Sequence, residues 1–123
     1  MNQLALDYER PPVQYRKHLA LTIVEKERQQ FRDDFGQWLD ANWHVYVEFE
    51  RRALKLWDAG RQHYGARSIW ETMRYDSAIG ELAGEFKLND HRAPCIARLF
   101  LLMNPRCHGF FEKRVGQSAV RAA

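Results

Sequence analysis

Cys95, Cys107, His91 and His108 are the side chains whose types could hold a zinc ion, and they lie in one short stretch. A zinc site draws on ligand pairs at close, regular spacing, and no CxxC or HxxxH pair is present. Cys95 also falls on the apolar side of a predicted helix, so the pattern predicts core cysteine, surface histidine and no metal. Asp33, Asp34, Glu48 and Glu50 could suggest a carboxylate pair for acid–base work. They are interleaved with Arg and Lys, where pairs such as Glu48 with Arg52 account for them as ion pairs along a helix face. GxGxxG, GxxxxGK[ST] and a serine in a nucleophile-elbow context are all missing from the sequence. No nucleophile, base and orienting group can be assembled, so the expectation is a protein that is not an enzyme and uses no cofactor.

The remaining chemistry is cationic. Arg67, Lys87, Arg92, Arg98, Lys113 and Arg114, with His91, are the candidates for contacting nucleic-acid phosphate, because they lie in or beside the segments expected to be most rigid. The formal charge of +3 does not demand a polyanionic partner, but it is unevenly placed. Residues 1–60 hold nine basic and ten acidic residues, and residues 61–123 hold ten and six, so the halves carry −1 and +4. Trp38, Trp43, Trp57 and Trp70 could stack on bases. At helical spacing they are read as core.

The elements that must position these groups read mainly as helices. A chain of 123 residues with 46% hydrophobic content supports one core. Residues 1–34 form a Pro-containing lead-in and a peripheral helix with a narrow apolar stripe, in which Tyr15, Leu19, Ile23 and Phe31 could seat a partner or a second copy. Residues 35–116 form the compact domain, and 117–123 a disordered tail. Asp33-Asp34 and Asn42 are expected to cap two helices. The second carries Tyr46, Phe49, Ala53, Leu56 and Trp57 on its apolar face, Glu48, Glu50, Arg51, Arg52 and Lys55 on the other, and Gly60 as its left-handed stop. Ile69, Trp70 and Met73 line the next helix. Phe86 and Leu88 alternate with Glu85 and Lys87 as a short strand. Pro94 opens a densely apolar central helix that Asn104-Pro105 ends, and 110–114 reads as a second strand paired with 85–88. The expected fold is therefore a mainly α single small domain of four to five helices with a two-stranded β-ribbon, winged-helix-like in outline. The predicted core is Trp38, Phe49, Leu56, Trp57, Ile69, Trp70, Met73, Phe86, Leu88, Ile96, Ala97, Phe100, Leu101 and Phe110.

The segments ANWHVY (41–46), HYGARSIWETMRYDSAI (63–79), FKLND (86–90), ARLFLLMNP (97–105) and GFFEKR (109–114) carry a resemblance. From Trp38 to Arg114, about two thirds of the chain, it resembles a recurrent family of small bacterial and phage-encoded proteins of uncharacterised function. The resemblance implies no reaction and no ligand, only an origin in a mobile element. Where that family favours Ser and Thr this chain has Gly65 and Ala93, which removes two polar N-caps.

Two kinds of partner are open. The cations suit double-stranded DNA, with a helix pair and a wing docking on the duplex, although about a dozen residues separate Ile79 from Pro94 where a helix-turn-helix has three or four. The N-terminal helix suits a host protein, or a homodimer, which needs a surface patch and no chemistry. The N-terminal sequence lacks the basic start and apolar run of a signal peptide. No apolar run approaches the ~20 residues of a membrane span. A cytoplasmic, soluble protein with free thiols is the expectation.

Overall fold

A computed structural model describes residues 12–82, 88 and 90–111. Its frame is five helices: α1 (Val13–Lys26), α2 (Phe35–Ala41), α3 (Trp43–Asp58), α4 (Ala66–Ala78) and α5 (Ala93–Met103). Single 3-10 turns at Arg28–Gln30, Asp90–Arg92 and Pro105–Cys107 flank them. α1 starts directly after Pro12, whose fixed φ of −56° suits a helix entry. α3 and α4 end alike, each with a glycine in the left-handed region. At Gly60 (φ 88°) the Arg61 N–H returns to the Leu56 carbonyl at 3.1 Å and the Gly60 N–H to Trp57 at 3.0 Å. At Gly80 (φ 77°) the Glu81 N–H returns to Asp76 at 2.8 Å and the Gly80 N–H to Ser77 at 3.1 Å. These paired returns satisfy carbonyls that a helix end leaves orphaned, and only glycine adopts the required φ without a Cβ penalty. The N-termini are less dressed. Neither Asp34 nor Asn42 caps through its side chain; the Asn42 amide instead donates to the Trp38 carbonyl at 2.9 Å and closes the end of α2.

The core is aromatic and central. Phe49 of α3, Trp70 of α4, Phe100 of α5 and the following Phe110 and Phe111 are all buried. Phe100 meets Phe111 at 5.4 Å and Phe49 at 6.4 Å, both edge-on, and Trp57 meets Phe110 edge-on at 5.7 Å. Such arrangements direct ring edges at ring faces, which adds to the area buried. α1 adds Ala20 and Val24 to the same cluster, and α2 adds Phe35 and Leu39, more than the narrow stripe of the first helix predicts. Of the predicted core, Phe49, Ile69, Trp70, Met73, Ile96, Phe100 and Phe110 are buried. Trp38, Leu56, Trp57, Leu88, Ala97 and Leu101 pack against it from partly exposed positions, and Phe86 lies outside the described residues.

The β-ribbon is a correction. Among the described residues there is no strand, and the one β-bridge joins Phe111 to Tyr64, in parallel; residues 85–87 and 112–114 lie outside the described residues. Alternation along a strand would send one of Phe110 and Phe111 away from the core. The 3-10 turn Pro105–Cys107 and a turn at Gly109 (φ 83°) fold the segment so that both rings turn inward. The described fold is thus a helical bundle, and the winged-helix-like outline falls with the ribbon. Among the described residues no helix is long and apolar enough to cross a membrane.

Candidate functional site

The cations singled out from the sequence are put to unequal uses. Arg92 is 9% exposed. It reaches back from the turn before α5 to Asp34 at the start of α2, donating from Nη1 and Nη2 to the two carboxylate oxygens at 3.2 Å each. Its guanidinium also lies 5.1 Å from the centre of the Trp38 ring. That fork fixes two elements and leaves no free face for phosphate. The Asp34 carboxyl is held below its usual range, chiefly by the hydrogen bond from Arg92. Arg98 is half-buried and donates Nη1 to the Gln30 carbonyl at 3.0 Å, fastening α5 to the turn after α1. Arg67 is exposed in the first turn of α4, its Nε 3.9 Å from Glu71. His91 is exposed. Lys87, Lys113 and Arg114 lie outside the described residues. Of the described members of that set, Arg92 and Arg98 serve the fold, and Arg67 and His91 face solvent.

The partner-facing set on α1 also divides. Tyr15 and Leu19 are exposed, at 64% and 46%, and Ile23 is half-buried. Phe31 is buried and stacks on Phe35 at 5.2 Å, so it belongs to the core. For the metal reading, Cys95 and Cys107 are buried while His91 and His108 are exposed. No group of three His, Cys, Asp or Glu among the described residues could hold an ion. Trp70 is buried, and Trp38, Trp43 and Trp57 are packed against the core, so the four indoles form no open stacking face.

A polar node at the heart of the bundle was not legible in the sequence. Glu50, expected on the solvent face of its helix, is 2% exposed. It pairs with Arg16 of α1 through Arg16 Nη1 and Glu50 Oε1. Tyr46 Oη donates to Glu50 Oε2 at 2.9 Å, and the Asn104 amide donates to the same oxygen at 3.1 Å. A buried carboxylate requires such partners, and these come from α1, from α3 and from the end of α5. A second network is more superficial. Glu48 accepts from Arg51 at 2.7 Å and from Arg52 at 2.6 Å, and Arg52 continues to Asp76 of α4 at 2.7 Å. Burial raises the Glu48 pKa, but the hydrogen bonds from Arg51 and Arg52 outweigh it and leave the carboxyl below its usual value. Both networks join helices.

Two loops joined by the β-bridge carry basic side chains without an ion pair among the described residues. The parallel bridge sets the loop RQHYG (61–65) beside the loop NPRCHGFF (104–111), with the Tyr64 N–H donating to the Phe110 carbonyl at 2.8 Å. Arg61 and His63 on the first loop and Arg106 and His108 on the second are exposed. None of the four is in an ion pair among the described residues, and neither loop contains an acidic residue. The sequence signal was available: each loop carries Arg-x-His, and the pairing that brings the two together is what the strand reading of 110–114 concealed. No family model, curated protein or solved structure matches this chain.

Proposed function

We propose that this chain is a small accessory protein that acts by binding and not by catalysis, and that its ligand is the phosphate backbone of double-stranded DNA. The observation that carries the reading is the separation of its cations. Arg16, Arg52 and Arg92 are largely buried and paired with carboxylates, whereas Arg61 and Arg106 are exposed and form no ion pair among the described residues. Charge left unneutralised on a surface attracts polyanions, and backbone binding needs little more than such charge in a fixed arrangement. A mobile-element setting is part of this proposal, following the sequence reading of residues 38–114 as similar to small bacterial and phage-encoded proteins. The free cysteines Cys95 and Cys107 accord with a reducing cytoplasm.

A second reading rests on α1. Tyr15 and Leu19, one turn apart and exposed beside the face that docks on the bundle, suit a host protein or a second copy of this chain. An electrophoretic shift with random duplex at low and moderate salt, beside a pull-down from host lysate, separates the two. DNA binding that weakens steeply with salt is the expected result. No shift at low salt, with one stoichiometric and salt-tolerant protein partner captured, overturns the DNA reading in favour of the second.

A further inference from the structure

We infer that the two loops joined at Tyr64 and Phe111 form a single phosphate-binding edge, with Arg61, His63, Arg106 and His108 as its contacts. The inference rests on the DNA reading and gives it a location other than the helix face around Arg92 and Arg98. Fixed backbone is the first ground. The Arg61 N–H is tied to Leu56 at 3.1 Å, the Cys107 N–H to Asn104 at 2.8 Å and the His108 N–H to Pro105 at 3.1 Å. Beneath them Tyr64 stacks on Phe110 at 6.4 Å, and Phe110 in turn meets Trp57. Cations presented on anchored loops lose little freedom when they bind. Charge is the second ground. The nearest acidic residue before Arg61 is Asp58, which forms no ion pair with it, and residues 93–111 contain no acidic residue at all.

Backbone conformation supplies an independent ground. His63 is the one non-glycine among the described residues with positive φ, at 56°. Its ring is exposed, so no packing of that ring accounts for the conformation. Histidine tolerates this region better than most residues, and disfavoured backbone held on a rigid frame is a recurrent mark of binding sites. The kind of anion follows from what the edge lacks. A protein interface is anchored by apolar side chains at its centre, but among the described residues the large exposed apolar side chains are Val13, Tyr15 and Leu19 on α1 and Tyr75 and Ile79 at the end of α4. None is on these loops. Cations without an apolar anchor fit a nucleic-acid backbone better than an acidic protein surface.

The test is fluorescence anisotropy of the full chain with a labelled random duplex across a salt series. The double variant Arg61→Ala/Arg106→Ala should lower the slope of log affinity against log salt by about two, one per lost phosphate contact. The control Lys26→Ala/Lys55→Ala, two exposed cations on other elements, should leave it unchanged. His63→Asn, which keeps a residue tolerant of positive φ while removing the imidazole, should weaken binding. All substituted side chains are exposed, and an unchanged far-UV circular dichroism melt checks the fold; Arg61→Gln/Arg106→Gln serves as a second charge-removing pair. If the wild-type chain binds duplex and both Arg pairs keep its full slope, the edge is wrong while the DNA reading stands. If the wild-type chain shows no salt-dependent duplex binding, both fall. Binding of polyglutamate as tight as that of duplex overturns the assignment to nucleic acid.

Discussion

Glu50 is the residue whose placement explains most about how α1 is held. Its carboxylate is buried and receives donors from Arg16, Tyr46 and Asn104, while Arg16 Nε has no partner of its own. Replacing Glu50 by Ala leaves the Arg16 guanidinium buried without a counter-charge, and we expect a loss of about 3–5 kcal/mol in urea unfolding. Replacing the pair together, as Arg16→Met/Glu50→Leu, should recover most of that loss, because two desolvated charges are exchanged for apolar packing. A Glu50→Ala variant as stable as the parent would show that the node contributes nothing. The sequence could not have located it. Arg16 and Glu50 are 34 positions apart, and Glu50 sits among Glu48, Arg51 and Arg52, where a solvent-facing carboxylate is the ordinary outcome. The same distance hid the clamp of Arg92 on Asp34, 58 positions away. Types and spacing reveal partners within one helix, whereas pairing between elements depends on the packing.

At the scale of elements, local signals were read well and the chain between elements was not. The apolar run of α5 with Pro94 in its first turn and Asn104-Pro105 at its end, and the glycine stop of α3, rest on rules confined to neighbouring residues. The register of α3 was only partly legible. Its buried residues are Val45, Tyr46, Phe49, Glu50, Ala53 and Leu54, so the buried stripe is turned relative to the predicted one, taking in Glu50 and Leu54 and leaving Leu56 and Trp57 half-buried. α1 and α5 flank that side, and Arg16 and Asn104 satisfy the carboxylate that the turn brings inward. The pair Phe110-Phe111 was misread because a short apolar run of aromatic residues suits a strand and a core-filling turn equally. α5 lies at the centre of this packing: Phe100 is 0% exposed and its ring meets Phe49, Phe110 and Phe111. Phe100→Ala should therefore cost about 3–5 kcal/mol in chemical denaturation. A cost below about 1 kcal/mol would mean that the four rings do not form one packed unit.

For the whole molecule, the division of charge links stability to surface. Carboxylates at Asp34, Glu48, Glu50 and Asp76 tie α1 to α3, α2 to the start of α5, and α3 to α4, while the cations of the loops at 61–65 and 104–111 form no ion pair among the described residues. Networks that hold the helices together are thus built on carboxylates, and the proposed binding edge is not. Asp34 and Glu48 have folded-state pKa values below their usual ones, Asp34 chiefly through Arg92 and Glu48 because its bonds to Arg51 and Arg52 exceed the effect of burial. A depressed carboxyl contributes stability that is fully present above its unfolded-state pKa, about 4 for these groups, and that is lost as pH falls through the lower folded-state value. Urea midpoints should thus change little on this account between about pH 7 and 5 and fall below about pH 4. Glu48→Gln should unfold more easily at neutral pH and lose less stability on acidification, because the group that titrates is gone; Asp34→Asn should do the same at the Arg92 clamp. If both variants kept the acid dependence of the parent, the two arginine-held carboxylates would not be what ties acid sensitivity to this fold.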